Sequence, residues 1–182
     1  MRVIAGDYKG RQLKSVPTHK TRPTTDKVKE SVFHMIGPYF DGGVVLDLFA
    51  GSGGLGIEAL SRGVNHCIFV DQQSKAIGTI YENIKLLKLE DQAEVFKTDA
   101  LRALKAAGKR ELQFNYIFLD PPYKKFSYED LIAEILKYNL LAESGIIICE
   151  HDASEIIPHQ VEQLKLMKTE NYGSNIGVSI FK

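Results

Sequence analysis

Four motifs in this chain put polar groups where an apolar run gives way to a turn. DLFAGSGGLG (47–56) carries Gly51, Gly53 and Gly56 in the spacing G-x-G-x-x-G, at the end of the apolar run VVLDLF. Glycines there allow a tight turn and close approach of the backbone to a ligand. Asp47 precedes the first glycine by four residues, where a carboxylate repels a pyrophosphate but can reach the ammonium group of an amino-acid moiety, directly or through water. Asp71 ends the next apolar run, CIFVD, 20 residues after Gly51, a spacing suited to accepting both hydroxyls of a ribose. Asp99, in KTDA, suits the exocyclic amine of adenine and equally the N-cap of a helix. The fourth motif, Asp120-Pro121-Pro122-Tyr123, follows the run YIFLD. Two prolines cannot continue a strand ladder, so the strand stops at a carboxylate with carbonyl oxygens beside it and a ring following. Such acceptors can hold the two hydrogens of a planar NH2 group while the ring stacks on its face.

These motifs need a scaffold that brings strand ends together. From residue 44 onward, apolar runs (44–49, 67–71, 93–99, 116–120 and 145–150) alternate with helical patterns, such as Ile77, Ile80, Tyr81, Ile84 and Leu87. Runs that are apolar throughout and separated by helices predict a parallel sheet buried on both faces. LKLMKTE and IGVSIF flank the turn-rich NYGSN and predict a closing antiparallel hairpin. The fold class is therefore α/β, a doubly wound, Rossmann-like, mostly parallel sheet with a C-terminal antiparallel hairpin, in which ligands bind beyond the carboxyl ends of the strands. Residues 1–40 read as a basic extension rather than an independent domain, and 41–182 as the main domain. In the extension, Val3, Ile4 and Leu13 with Gly6 and Gly10 predict a β-hairpin. RPTTDKVKESVFHMI (22–36) predicts a helix capped by Thr24 or Thr25, with Val28, Val32, Phe33 and Ile36 toward the core.

The 182 residues, 44% apolar and 25% charged, suit one globular domain with a sizeable core. Formal net charge is zero, which excludes a uniformly basic protein, yet residues 1–31 hold eight basic and three acidic side chains. A +5 segment thus faces a −5 remainder. No apolar run approaches the ~20 residues that span a bilayer, and the first residues lack the apolar stretch of a signal peptide. Cys67 and Cys149 sit in apolar runs and read as reduced core residues of a cytoplasmic protein. Five scattered histidines without paired spacing give no expectation of a metal site.

The combination of LDLFAGSGGLG, Asp71, Asp99 and DPPY resembles the amino-group methyltransferases that use S-adenosylmethionine. With MRVIAGDYKGRQL, RPTTDKVKESVF, IICEH and YGSNIGVSIF, the chain resembles the RsmD-type 16S ribosomal RNA guanine-N2 methyltransferases over most of its length. Lys27 and Lys29 stand where arginine is about as frequent, which keeps the charge without bidentate phosphate binding. The resemblance implies S-adenosyl-L-methionine as cofactor, with Asp47, Phe49, Gly51, Ser52 and Gly53 at its methionine portion. Asp71 and Gln72 fall to the ribose and Asp99 with Ala100 to the adenine, while Thr24, within 22–30, borders the pocket. Asp120, Pro121, Pro122 and Tyr123 then hold the target base. Lys9, Arg11, Lys14, Arg22, Lys124 and Lys125 are the expected RNA contacts. The implied partner is 16S ribosomal RNA, in the small subunit or an assembly intermediate, met by a monomer. DPPY alone does not name the base, since adenine-N6 and DNA-directed enzymes share it. The glycine pattern with Asp71 also suits a nicotinamide-dependent oxidoreductase, and the basic segment a non-catalytic RNA-binding module.

Overall fold

A computed structural model describes residues 1–17, 25–122 and 125–182. Within them the order is α1 (Asp26–Ile36), β1 (Val44–Asp47), α2 (Gly54–Ser61), β2 (His66–Asp71), α3 (Ser74–Leu87), β3 (Ala93–Lys97), α4 (Ala100–Lys109), β4 (Phe114–Leu119), α5 (Tyr128–Lys137), β5 (Leu141–Asp152), β6 (Gln160–Val161), β7 (Leu164–Tyr172) and β8 (Ile176–Phe181). They form one sheet in the order β3-β2-β1-β4-β5-β8-β7-β6. The first five strands in that order are parallel, and β8 inserts antiparallel between β5 and β7.

Strand alternation fills a core on each face. Val45, Cys67, Phe69, Phe118 and Ile148 join Val32 and Phe33 of α1, Ile57 and Leu60 of α2, and Ile80 and Ile84 of α3. Leu46, Ile68, Val70, Ile117 and Cys149 face Leu104 of α4 and Leu131, Ile132 and Ile135 of α5. Burial on both sides explains why these strands read as continuous apolar runs. The winding reverses between β3 and β4, which crosses back over β2 and β1 to pair with β1. That reversal opens a crevice between β1 and β4. Both cysteines are buried and free.

The structure adds detail to the extension and corrects the start of one strand. The N-terminal segment folds back on itself as a short hairpin, with Arg2 bridged antiparallel to Gln12, Val3 N–H donating to the Arg11 carbonyl (2.9 Å), Gly10 N–H to the Val3 carbonyl (2.8 Å) and Leu13 N–H to the Met1 carbonyl (2.9 Å). Between these bonds, the Ile4 and Ala5 N–H groups donate to the Glu58 carboxylate (2.9 and 3.0 Å), and Tyr8 N–H donates to Ser61 Oγ (3.0 Å), which docks the hairpin on α2. The helix of the extension starts at Asp26 with Thr25 as its N-cap, whose Oγ1 accepts from Val28 N–H at 3.3 Å. Thr24 and Arg22 lie outside the described residues. Strand β5 runs from 141 rather than 145, through a register shift between Phe114 and Tyr116 of β4, with Ser144 left-handed (φ 60°). The two-residue β6 is too short to leave a periodic signal.

Candidate active site

At the carboxyl ends of the parallel strands lies a cavity of about 1380 Å³. The turn after β1 contributes Phe49, Gly51 and Ser52, with Asp47 beneath them. Asp71 and Gln72 come from the end of β2, and Asp99 and Ala100 from the start of α4. Asp120, Pro121 and Pro122 follow β4, and Glu150 and His151 come from β5. The extension adds Met1, Ser15 and Val16.

The three glycines of the turn do different things. Gly51 has φ +55°, and nothing lies within 4 Å of where a Cβ would stand, so a ligand can approach the backbone there. Gly53 takes the left-handed N-cap of α2 (φ 83°) and faces Ile57, Phe69 and Ile80. It is absent from the cavity wall, contrary to its expected cofactor contact. Gly56 lets α2 lie on the sheet, since a Cβ there would sit 2.4 Å from Phe69 and 2.6 Å from Cys67 Sγ.

Carboxylates dominate the floor. Asp47 is buried, and its Oδ2 accepts from Gly56 N–H at 3.0 Å. Burial pushes its carboxyl up to about 7, with the Gly56 bond opposing and Asp71 adding to the rise. Asp71 ties β2 to the glycine turn, its Oδ2 accepting from Gly51 N–H (3.0 Å) and its Oδ1 from Gln73 N–H (2.8 Å). Each oxygen keeps a lone pair for a further donor. Asp99 serves as the N-cap of α4, accepting from Arg102 N–H at 3.0 Å, and also lines the cavity. Asp120 opens to the cleft, yet protein crowds it from below. Desolvation, reinforced by Glu150 and then Asp47, holds its carboxyl well above the usual range. Among the described residues no group of three or more His, Cys, Asp or Glu could hold a metal ion. Carboxylates set singly around the cavity are acceptors for an ammonium group and for hydrogen-bond donors.

Sequence reasoning missed several wall residues. Phe126 pairs with Phe49 (centroids 5.5 Å apart) to make an aromatic side of the cavity, and an aromatic six residues beyond Asp120 was the available signal. Glu150 and His151 lie in the IICEH run, whose strand character concealed their side chains. His151 Nε2 meets Ser179 Oγ at 2.8 Å, and its Nδ1 meets the Asp152 carbonyl at 2.8 Å. Tyr123 and Lys124 fall outside the described residues. Lys125 is exposed, with its ammonium 5.7 Å from the Phe126 ring centroid.

The basic extension is partly neutralised by its own folding. Lys29 is buried: its Nζ donates to the Arg2 carbonyl (2.5 Å) and pairs with Glu58 at 3.2 Å, so it offers nothing to a phosphate. Burial pushes its ammonium down, against the pull of Glu58. Glu58 also binds Arg62 Nε at 2.8 Å. Lys14 is ion-paired with Glu82, Arg11 donates to the Leu86 carbonyl at 3.3 Å, and Lys9 is exposed. The buried Asn83 joins this segment to the glycine turn. Its Nδ2 donates to the carbonyls of Lys14 (3.0 Å) and Ser52 (2.9 Å), and its Oδ1 accepts from Lys14 N–H (2.8 Å).

Comparison with known proteins bears on what such a cavity serves. A family model described as conserved hypothetical protein 95 matches residues 1–181. The YlbH protein of Bacillus subtilis is 58% identical over all of this chain and 98% of its own length. Ribosomal RNA small subunit methyltransferase D of Haemophilus influenzae is 36% identical over 82% of this chain and 78% of its own. The solved structure of the Escherichia coli yhhF protein superposes with a TM-score of 0.86 at 28% identity, covering 100% of this chain and 96% of that one.

Proposed function

Because this chain belongs to the family of RsmD-type small-subunit ribosomal RNA methyltransferases, we propose that it methylates the exocyclic N2 amine of a guanine in 16S ribosomal RNA, with S-adenosylmethionine as donor. One observation carries the reading. The carboxylate that ends β4 in Asp-Pro-Pro opens into the same cavity as the glycine turn and Asp71.

The cavity fits that donor. Asp47, buried and held near 7, gains from an ammonium group, and Ser52 and the open backbone at Gly51 border the same space. Asp71 and Gln72 would take the ribose, and Asp99 and Ala100 the adenine. A pyrophosphate would meet Asp47 instead, which disfavours a nicotinamide cofactor. S-adenosylmethionine supplies an already activated methyl group, so the protein's task is positioning and electrostatics. Asp120 and the Pro121 carbonyl would accept the two N–H groups of the amine and favour positive charge as it develops on that nitrogen. The base must be unpaired or flipped to reach them. Tyr123, and Thr24 with the 22–30 segment, keep their proposed parts in stacking on the base and closing the pocket. The acceptor RNA is the small subunit or an assembly intermediate in the cytoplasm, met by a monomer through Lys9, Arg11, Lys14, Arg22, Lys124 and Lys125.

The test incubates the protein and donor with small subunits from a strain lacking this modification, followed by nucleoside analysis and primer extension. N2-methylguanosine at one position is expected, and a different methylated nucleoside or none overturns the reading. Asp120→Ala should abolish turnover while calorimetry still detects S-adenosylhomocysteine binding. Wild-type turnover in that variant removes Asp120 from the mechanism.

A further inference from the structure

The Asp-Pro-Pro ending suits any planar amine and leaves the choice of base to another group in the cavity. Guanine and adenine differ beside the amine: guanine presents N1–H, a donor, next to its N2 amine, whereas adenine presents an unprotonated N1, an acceptor. A site for guanine therefore needs a second acceptor in line with the first, and a second carboxylate there repels adenine N1.

We propose that Glu150 is this second acceptor, a specificity residue that receives the guanine N1–H while Asp120 holds the N2 amine. The inference rests on the guanine-N2 reading above. In the β4–β5 register Leu119 lies opposite Cys149, so Asp120, the first residue past β4, and Glu150 of β5 follow side by side from two adjacent parallel strands. Such strands lie ~4.8 Å apart, a spacing that lets two carboxylates meet neighbouring groups on one base edge. Both residues line the cavity.

Glu150 is also held firmly in place. It lies opposite Val178 of β8, one residue beyond the last β4–β5 pair, Leu119 with Cys149. The Tyr128 hydroxyl donates to its carbonyl, and the next residue, His151, is fixed by Ser179 and the Asp152 carbonyl. A rigid backbone with a side chain at the cavity wall is what recognition of one base edge requires. The influence of Glu150 on the Asp120 carboxyl agrees with their nearness.

2-Aminopurine tests this because it keeps the N2 amine and replaces N1–H by an acceptor; it also lacks O6, a difference that substitution of Glu150 leaves in place, so the change of ratio on substitution is the readout. The ribosomal RNA position that the wild-type protein methylates is rebuilt by ligation with guanosine or 2-aminopurine and assembled into subunits. Wild type should prefer guanosine by roughly tenfold to hundredfold in kcat/KM, as expected when a charged acceptor loses its donor. Glu150→Gln, whose amide can present either an oxygen or an N–H, should raise 2-aminopurine turnover and bring the ratio toward unity. Glu150→Ala, which removes both the acceptor for N1–H and the repulsion of an unprotonated N1, should lower guanosine turnover without lowering that of 2-aminopurine. A folding defect would lower both substrates together and weaken S-adenosylhomocysteine binding, whereas the proposal moves the ratio. A wild-type protein indifferent to the analogue, or variants that keep the wild-type ratio, overturn the role of Glu150 and leave the guanine-N2 reading standing. Failure of wild type to methylate guanosine N2 overturns both.

Discussion

Asp47 carries the sharpest consequence of burial at a single position. With its carboxyl near 7, it keeps a proton below that pH in the ligand-free protein. An ammonium group favours the ionised form, so below about 7 binding must release that proton. Affinity for S-adenosylhomocysteine, which keeps the ammonium, should therefore climb as pH rises and level off above about 7. Calorimetry across that range checks it, and Asp47→Asn should bind more weakly and lose the climb. The same shift works the other way on stability. Between the ordinary carboxylate pKa of ~4 and the folded value, the native state binds more protons than the unfolded one. The contribution of Asp47 to stability thus falls with rising pH over that window. The positions of Asp47 and Asp71 were legible because a strand end fixes where the next side chain emerges. The inward turn of Gly53 was not, since its direction depends on Ile57, Phe69 and Ile80 packing beside it. Glu150 was illegible for a similar reason: a glutamate at a strand end looks the same in sequence whether it meets solvent or a cavity.

Among elements, the junction of α1, α2 and the extension depends on Glu58. This carboxylate is fully buried and shared among two backbone N–H groups, Lys29 and Arg62. Glu58→Gln keeps the shape but leaves two buried cations without a counter-charge, and breaking buried pairs in this way costs about 3–5 kcal/mol. Urea denaturation should show that loss, and amide exchange at Ile4 and Ala5 should quicken. An unchanged midpoint would mean that water already reaches this junction. Alternating strands and helices were readable in the main domain because local periodicity and tertiary burial agree there. In the extension they agree in part. Val3, Gly10 and Leu13 make the bonds of the expected hairpin, while the N–H groups of Ile4, Ala5 and Tyr8 donate to Glu58 and Ser61, partners more than fifty residues away that no local pattern signals.

Over the whole molecule, the +5 and −5 halves read from sequence are only partly presented to solvent. Lys29 is inside, and Arg2 and Lys14 are paired with Asp26 and Glu82. The expected RNA attraction from the described part of the extension therefore falls mainly on Lys9, Arg11 and the exposed Lys27, with Lys14 adding less. Lys9→Glu and Arg11→Glu together should weaken binding to the small-subunit RNA and flatten its dependence on salt, by ~0.7 in slope for each lost single-strand phosphate contact. Filter binding over a salt series measures the slope, and no change would assign these residues to an ordinary solvated face.

The bonds of Asn83 add a consequence at this scale. One side chain holds the Lys14 backbone and the Ser52 carbonyl, so the basic segment proposed to meet RNA and the glycine turn proposed to meet the donor share a joint. Coupling through a shared joint is reciprocal: the factor by which RNA changes affinity for the donor equals the factor by which the donor changes affinity for RNA. Whatever factor RNA exerts on donor binding through Asn83, the donor returns on RNA binding, and Asn83→Ala should bring both toward one.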